Sequence, residues 1–325
     1  MYVLKMEGVK MKKLILSVMA IVFTTAVMAQ SKVYVTRDIS PESLVKIYKS
    51  LGVPAQGRVA GKISTGESGN PNYLKPTLIK DLVYEVNGTI VECNTAYGGK
   101  RNTFEAHWQT IREHGFDSLF AVDLMDEDGD MKIPVRDRKN IKYDIVGKHL
   151  ARYDFMINLA HFKGHPMGGL GGVLKNASIG VASANGKAYI HTAGYQEVVE
   201  GLWNHTENQD GFLESMAAAA QAVHNYFGEG HVIYISVMNN MTVDCDCVSH
   251  PKPVELKDYG ILASTDPVAL DQACVDIIMG MEPSEGNDNR PLVNRINQKH
   301  GTYTIDWAEK IGLGSKQYTI INIDK

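Results

Sequence analysis

Short apolar runs alternate along the chain with longer segments in which apolar residues recur every three or four positions. The β-branched or continuous apolar runs are typical of buried strands, and the longer repeats are typical of helices packed on one side. Strands are predicted at 32–38, 58–65, 89–93, 119–124, 155–160, 231–238, 258–265 and 317–323, and helices from 41 onward and at 76–88, 101–115, 211–228 and 267–280. This alternation predicts an α/β fold, with a mostly parallel or mixed sheet flanked by helices in one large domain or two closely packed lobes.

Local signals mark several element ends. Ser40 and Asp266 each precede a proline and are expected to cap the helices that begin there. The stretch 123–135 is expected to form a hairpin that turns at Asp128 and Gly129.

The first 29 residues are set apart from this pattern. Lys12 and Lys13 precede an apolar run over 14–27, and a small residue follows at Ala29. These features predict a cleavable secretory signal peptide over 1–29 and an α/β domain over 30–325, with an uncleaved anchor as the alternative. We therefore expect a secreted or periplasmic protein without a membrane span after cleavage.

Charge narrows the class of partner. The formal net charge is −4, and removal of 1–29 takes away four lysines and one glutamate, so the mature chain carries −7. A mildly acidic chain is not suited to nucleic acid or to an anionic membrane surface. The expected partner is a small molecule.

The densest polar stretch is HFKGHPMGGLGGVLKNASIG, over 161–180, directly after a predicted buried strand. Ligand sites of α/β proteins gather past the carboxyl ends of such strands. If the strand continues, His161, Lys163 and His165 lie on one face. The alternative is a flexible glycine loop with surface histidines.

A second polar loop, ECNTAYGGKRNT over 92–103, also follows a strand and precedes a helix. Its side chains and amides can contact an anion, although an ordinary connecting loop has the same composition. The residues predicted to bind an anionic small molecule in the two loops are Asn94, Thr95, Arg101, Gly171, Gly172, Lys175 and Asn176.

The stretch MTVDCDCVSH, over 241–250, follows a third strand. Residues two apart on extended backbone point the same way, so Cys245 and Cys247 can hold one metal ion. With a third ligand from His161, His165 or Cys93, two thiolates suit zinc or iron. A disulfide from Cys93 to either thiol, or free thiols, are the alternatives.

These stretches together resemble the uncharacterised family catalogued as domain of unknown function 362. The similar segments are GESGNPNYLKP (66–76), CNTAYGGKR (93–101), Lys163 with His165, GGVLKNASIG (171–180), CDC (245–247) and GILASTDPVALDQA (260–273). The family has no settled activity. Some members carry a ferredoxin-like iron–sulfur module, which points to redox or metal chemistry in the family, but this sequence lacks that module. The resemblance implies that the C-x-C pair is a site and does not name its ligand.

The sequence therefore predicts a metal site at Cys245, Cys247 and His161, beside an anion site. If the protein is an enzyme, His165 is the candidate acid–base, because its ordinary pKa lies near neutrality, and Lys163 stabilises developing negative charge. The alternative is a non-catalytic periplasmic binding protein in which the cysteines form a structural disulfide.

Overall fold

A single large sheet organises the chain. The computed structural model describes residues 30–324. Within them, eight strands form one sheet in the order β12-β1-β11-β10-β7-β2-β3-β4. Only β11 runs opposite to its neighbours, and the other seven strands share one direction. The predicted α/β fold with a mostly parallel sheet is confirmed.

The bounds of the elements are as follows. The strands are β1 (Ser31–Thr36), β2 (Val59–Lys62), β3 (Gly88–Glu92), β4 (Val122–Leu124), β5 (Asp130–Pro134), β6 (Tyr143–Gly147), β7 (Phe155–His161), β8 (Lys163–His165), β9 (Gly169–Gly171), β10 (Val232–Met238), β11 (Gly260–Ser264) and β12 (Tyr318–Asn322). The α-helices are α1 (Pro41–Ser50), α2 (Pro76–Glu85), α3 (Phe104–Glu113), α4 (Val173–Ala177), α5 (Ala184–His191), α6 (Gln209–Phe227), α7 (Pro267–Met279), α8 (Arg290–Gln298) and α9 (Tyr303–Lys310). Short 3-10 helices span Lys148–Arg152 and Leu202–His205.

Both faces of the sheet are covered by helices. Alternate residues of β7 point to opposite faces, so Ile157 and Leu159 pack with α1, α2 and α3, whereas Met156 and Ala160 pack with α4, α6 and α7. Burial on both faces explains why the central strands are apolar throughout.

The predicted helix caps are present. The Ser40 hydroxyl accepts a hydrogen bond from the Ser43 amide at 3.1 Å, and one carboxylate oxygen of Asp266 accepts from the Val268 and Ala269 amides. Each cap satisfies amides that have no partner within the helix.

The predicted hairpin at Asp128 and Gly129 is wrong. The chain turns there, but β5 pairs with β6 in a separate two-stranded sheet, whereas β4 pairs with β3 at the edge of the large sheet. β4 ends the large sheet as its edge strand, and β5 takes β6 as its partner instead. The prediction of a signal peptide concerns residues outside those described, and none of the helices within 30–324 is long and apolar enough to span a membrane.

The strand order reverses between β2 and β7. From β2 the chain proceeds outward to β3 and β4, whereas β10 lies on the other side of β7. Such a reversal opens a crevice beyond the carboxyl ends of the two central strands. The polar stretches identified in the sequence follow β3, β7 and β10, and they meet at this crevice.

Candidate functional site

A cavity of about 360 Å³ occupies the crevice. The last residues of three parallel strands line it: Lys62 of β2, Glu92 of β3 and His161 of β7. Lys163 and His165 of β8, and both cysteines of the C-x-C pair, complete this side. The three stretches singled out in the sequence therefore contribute to one cavity.

One wall of the cavity is a buried ion network. Glu92 contacts the Lys62 ammonium at 2.9 Å and the Arg101 guanidinium at 3.3 Å. Burial alone would raise the pKa of Glu92, but the two cations lower it to about 2. Arg101 also contacts Glu67 and the Tyr97 hydroxyl. Its charge is thus largely engaged within the protein.

A second buried network lies beneath the C-x-C pair. The Asp246 carboxylate contacts Nδ1 of His161 and Nζ of Lys163, both at 2.8 Å. Burial would raise the pKa of Asp246, but His161 and Lys163 hold it well below its usual range. Burial disfavours the charged form of Lys163, but the attraction of the Asp246 carboxylate is larger and raises the pKa of Lys163.

The structure gives His161 a different role from the metal ligand expected of it. Its Nδ1 faces the Asp246 carboxylate, and its Nε2 lies 2.5 Å from the Asn239 carbonyl oxygen. Both ring nitrogens are thus engaged with oxygen atoms of the protein, and the histidine whose ring nitrogen converges with the two sulfurs is His165 instead of His161. His161 therefore holds Asp246 beneath the cysteines.

The histidine that joins the cysteines is His165. The donor atoms of His165, Cys245 and Cys247 all lie within 4.8 Å of one another. A hydrogen bond from Cys247 lowers the pKa of the Cys245 thiol well below its ordinary value against the effect of burial, and Lys175 and His165 lower it further. The Cys247 amide also lies 3.3 Å from the Cys245 sulfur. The same hydrogen bond raises the pKa of Cys247, so ionisation of the pair is favoured at Cys245.

The hydrogen bonds of His165 define its tautomer. Its Nδ1 accepts from the Met167 amide at 3.2 Å and the Gly168 amide at 2.9 Å. An accepting Nδ1 places the proton of the neutral ring on Nε2, which leaves Nε2–H to donate to Cys245. Burial, with Lys175 nearby, lowers the pKa of His165 to about 4, so the ring is neutral at pH 7.

The disulfide alternative has no counterpart in the described residues. Cys93, Cys245, Cys247 and Cys274 are all free. The Cys93 thiol, 1% exposed, donates to the Val181 carbonyl. Cys93 and the C-x-C pair line the same cavity without a bridge between them.

The two amides that follow the glycine loop are engaged within the protein. The amides of Val173 and Leu174 both donate to the buried Asp271 carboxylate, at 2.8 and 2.9 Å. A Cβ on Gly172 would lie 2.2 Å from that carboxylate, and one on Gly171 would lie 3.2 Å from the Lys163 side chain. Both glycines line the cavity, and both also pack closely against neighbouring side chains.

Three other predicted anion ligands are engaged within the protein. The Asn94 side chain contacts His107 at 2.9 Å, and Asn176 bridges Lys62 and Asn158. The Thr95 hydroxyl lines the cavity and donates to the Tyr97 carbonyl. Thr95 and Asn176 line the cavity, whereas Asn94 does not, so its predicted contact with the ligand is not supported.

Lys175 is the predicted ligand that remains available. No carboxylate among the described residues lies within 4.0 Å of its ammonium group, and it lines the cavity close enough to lower the pKa values of His165 and Cys245. Lys187 of α5 lines the cavity as well, and its one hydrogen bond within residues 30–324 goes to the Ala182 carbonyl, at 2.6 Å. Two ammonium groups without an ion-pair partner make this part of the cavity suited to an anion.

The chain matches the family described as Domain of unknown function (DUF362) over residues 59–276. That span holds 218 of the 325 residues. The chain belongs to this family. Every residue that lines the cavity of this DUF362 protein falls inside the matched span.

Other comparisons are distant. No curated protein matches the chain. Among solved structures, the lactate racemase apoprotein from Thermoanaerobacterium thermosaccharolyticum is similar at 16% identity and a TM-score of 0.36, over 64% of this chain. The similarity spans half the length of that protein.

Sequence reasoning missed several cavity residues of this DUF362 protein. Lys62 and Glu92 are the last residues of their strands, and this position is a signal that they share with His161. Lys187 and His191 lie on α5, which the apolar pattern did not indicate. Nδ1 of His191 lies 2.6 Å from the Lys187 carbonyl, so Nδ1 donates and Nε2 remains an acceptor.

Proposed function

We propose that the cavity binds a small anionic molecule beside a two-cysteine centre that holds zinc or iron. One observation carries the proposal: the donor atoms of Cys245, Cys247 and His165 converge within 4.8 Å in a cavity where Lys175 has no carboxylate partner. Thiolates bind both metals well, and an ammonium group offsets the charge of an anion.

The donor set suits a metal through its two sulfurs. Ligands of a tetrahedral zinc ion, each about 2.3 Å from the metal, are roughly 3.8 Å apart, so the observed separations need only a modest contraction. A bound metal would supply Lewis-acid chemistry next to the anion. His165 fits such a site less well, because the second nitrogen of a metal-bound histidine normally donates, whereas Nδ1 here accepts from two amides.

A second candidate is chemistry at a metal-free thiolate. The observation that favours it is the surroundings of the Cys245 sulfur. Cys247 and Nε2–H of His165 donate hydrogen bonds to it, and the positive charge of Lys175 lies nearby. These are the surroundings of a reactive cysteine. In this role Nε2–H of His165 donates to the sulfur. The general-base role predicted for His165 is disfavoured, because the lone pair on Nδ1 already accepts hydrogen bonds from two amides.

Metal analysis tests the proposal. The protein is purified without oxygen and without chelator, and its metal content and absorption spectrum are compared with those of a Cys245→Ser, Cys247→Ser variant. Cys274→Ala is the control, because it removes a buried thiol outside the cavity. About one equivalent of zinc or iron, lost only in the double variant, supports the metal centre; no metal in the wild type overturns it and leaves the thiolate candidate.

The remaining proposals concern the class of protein. The rival is a non-catalytic binding protein. Replacing His165 by alanine should lower the affinity of such a protein for its ligand at most, whereas the same change in an enzyme should lower the turnover. We also propose export, as expected from residues 1–29. N-terminal sequencing of the protein recovered from the cell envelope or the medium checks cleavage after Ala29, and a chain that retains residues 1–29 would favour the uncleaved anchor.

A further inference from the structure

We propose that the anion carries a flat aromatic body, so that its charged group lies at Lys175 while its ring stacks on Trp203. The ligand class is thus an aryl carboxylate or an aryl phosphate. The inference rests on the proposed binding of an anion. It adds a residue and a ligand group that the sequence did not indicate.

Trp203 is placed where a ligand would meet it. Its side chain lines the cavity, yet 55% of the residue is exposed. Large aromatic side chains are costly to leave in water, and a partly exposed tryptophan at the mouth of a basic cavity offers a ring face to a ligand. No aromatic ring of the described residues stacks on Trp203 in the structure.

The position of Trp203 is set by its neighbour. Leu202, 1% exposed, packs against Ala96 and Ala188 in a small apolar cluster separate from the two main cores. Gly201 precedes it with a φ of +77°, a conformation that favours glycine. The buried leucine therefore anchors the short 3-10 helix, and the tryptophan beside it faces the cavity.

The cavity is large for a bare anion. Its volume of about 360 Å³ falls in the range of sites that enclose drug-sized molecules, which are mostly apolar with a few polar groups. The walls around the ammonium groups include Ala96, Met167, Ile179 and Leu202. Apolar walls and a basic end match a ligand that has an apolar body and one charged group.

Two matched pairs of probes test the inference by calorimetric titration: phenyl phosphate against inorganic phosphate, and benzoate against acetate. In each pair the head group is shared and only one member has a ring. We expect at least one ring-bearing probe to bind about tenfold more tightly than its partner, because stacking adds to burial of the ring. The preferred pair identifies the head group.

Three variants separate the ring from the head group. Trp203→Ala should abolish the tenfold difference and leave binding of the small anion unchanged. Lys175→Gln should weaken both members of the pair about tenfold. Tyr195→Ala is the control, because Tyr195 is 72% exposed in the same loop but does not line the cavity, and it should change neither.

The outcomes distinguish the inference from the proposed function. Equal binding of both members of each pair, or a ring preference that survives Trp203→Ala, overturns the aromatic ligand while anion binding stands. If none of the four probes binds, or if Lys175→Gln has no effect, the proposed anion site itself is overturned and the inference with it.

Discussion

Replacing Asp144 by asparagine should stabilise the protein, and more so at high pH. Asp144 lies in β6 and is fully buried, and among the described residues neither carboxylate oxygen has a hydrogen-bond partner of normal geometry. Burial raises its pKa from 3.8 to about 7, although the nearby Ile145 amide and Lys187 favour the charged form slightly. The folded protein therefore resists ionisation of a group that ionises readily in the unfolded chain.

The magnitude follows from the pKa values of Asp144 in the folded and unfolded chain. Because the pKa is raised on folding, the cost is absent below about pH 4, grows as pH rises and levels off above about 7. A tenfold difference in acidity between the two states corresponds to about 1.4 kcal/mol, so the cost is about 2 kcal/mol at pH 5 and about 4 kcal/mol at pH 8. Asparagine does not ionise, and its buried amide lacks partners much as the neutral acid does. The difference in unfolding free energy between Asp144→Asn and the wild type should therefore widen by about 2 to 3 kcal/mol from pH 5 to pH 8.

Urea unfolding at pH 5, 6, 7 and 8 measures this gap. Asp117→Asn is the control, because Asp117 is exposed on the surface and its replacement should give a difference that is small and constant. A gap for Asp144→Asn that does not widen with pH would refute the reasoning, since it would mean that Asp144 ionises without cost in the folded protein.

Three further predictions concern the cavity and its loops. Glu92→Gln should lower the free energy of unfolding by about 3–5 kcal/mol at pH 7, measured with urea, because two buried cations lose their anion. This loss should shrink as the pH falls from about 4.5 towards 2, where Glu92 of the wild type is itself protonated. A loss that does not depend on pH would contradict the prediction. Gly172→Ala should lower the free energy of unfolding by about 1–3 kcal/mol, since the new Cβ would lie 2.2 Å from a carboxylate oxygen. The control is Gly98→Ala, where the Cβ would meet open space and the change should stay within about 0.5 kcal/mol. Equal effects of the two substitutions would contradict the packing argument. In metal-free protein, iodoacetamide at pH 6.5 should modify Cys245 before Cys247, as fragmentation of the peptide that holds both can show. The pKa of Cys245 is lowered, whereas that of Cys247, the more exposed of the two, is raised; similar rates would argue against a thiolate.

The sequence was most informative where one physical rule dominates. The central strands are buried on both faces, so β7 and β10 appear as apolar runs and were predicted to within a residue at each end. The gathering of ligand groups at the carboxyl ends of parallel strands then brought His165 and Cys245 to one rim. That rule acts through the direction of the strands and needs no knowledge of side-chain contacts.

Contacts that depend on tertiary structure were beyond the sequence. Helix α5 is buried on most of its surface and so has no clear apolar stripe to reveal it, which hid Lys187. The tautomer of His165 depends on a turn that aims two amides at its ring, and the role of Gly172 depends on Asp271, almost a hundred residues away. Each of these features depends on contacts between residues that are far apart in the sequence, and the local sequence pattern does not reveal such contacts.

The position of β1 between β11 and β12 has a consequence for the order of folding. Tyr34 pairs with Ala263, whereas Val59 of β2 pairs with Gly88 of β3, so β1 must close a loop about eight times longer. The longer closure costs about 2 kcal/mol more in chain entropy, and β1 finds both neighbours only after residues 260–322 have been synthesised. The strands β2, β3, β7 and β10 pair with one another without these late residues, whereas the segment after Gly172 needs Asp271 of α7 as its partner. The strand ends that line the cavity can therefore come together before the sheet is complete.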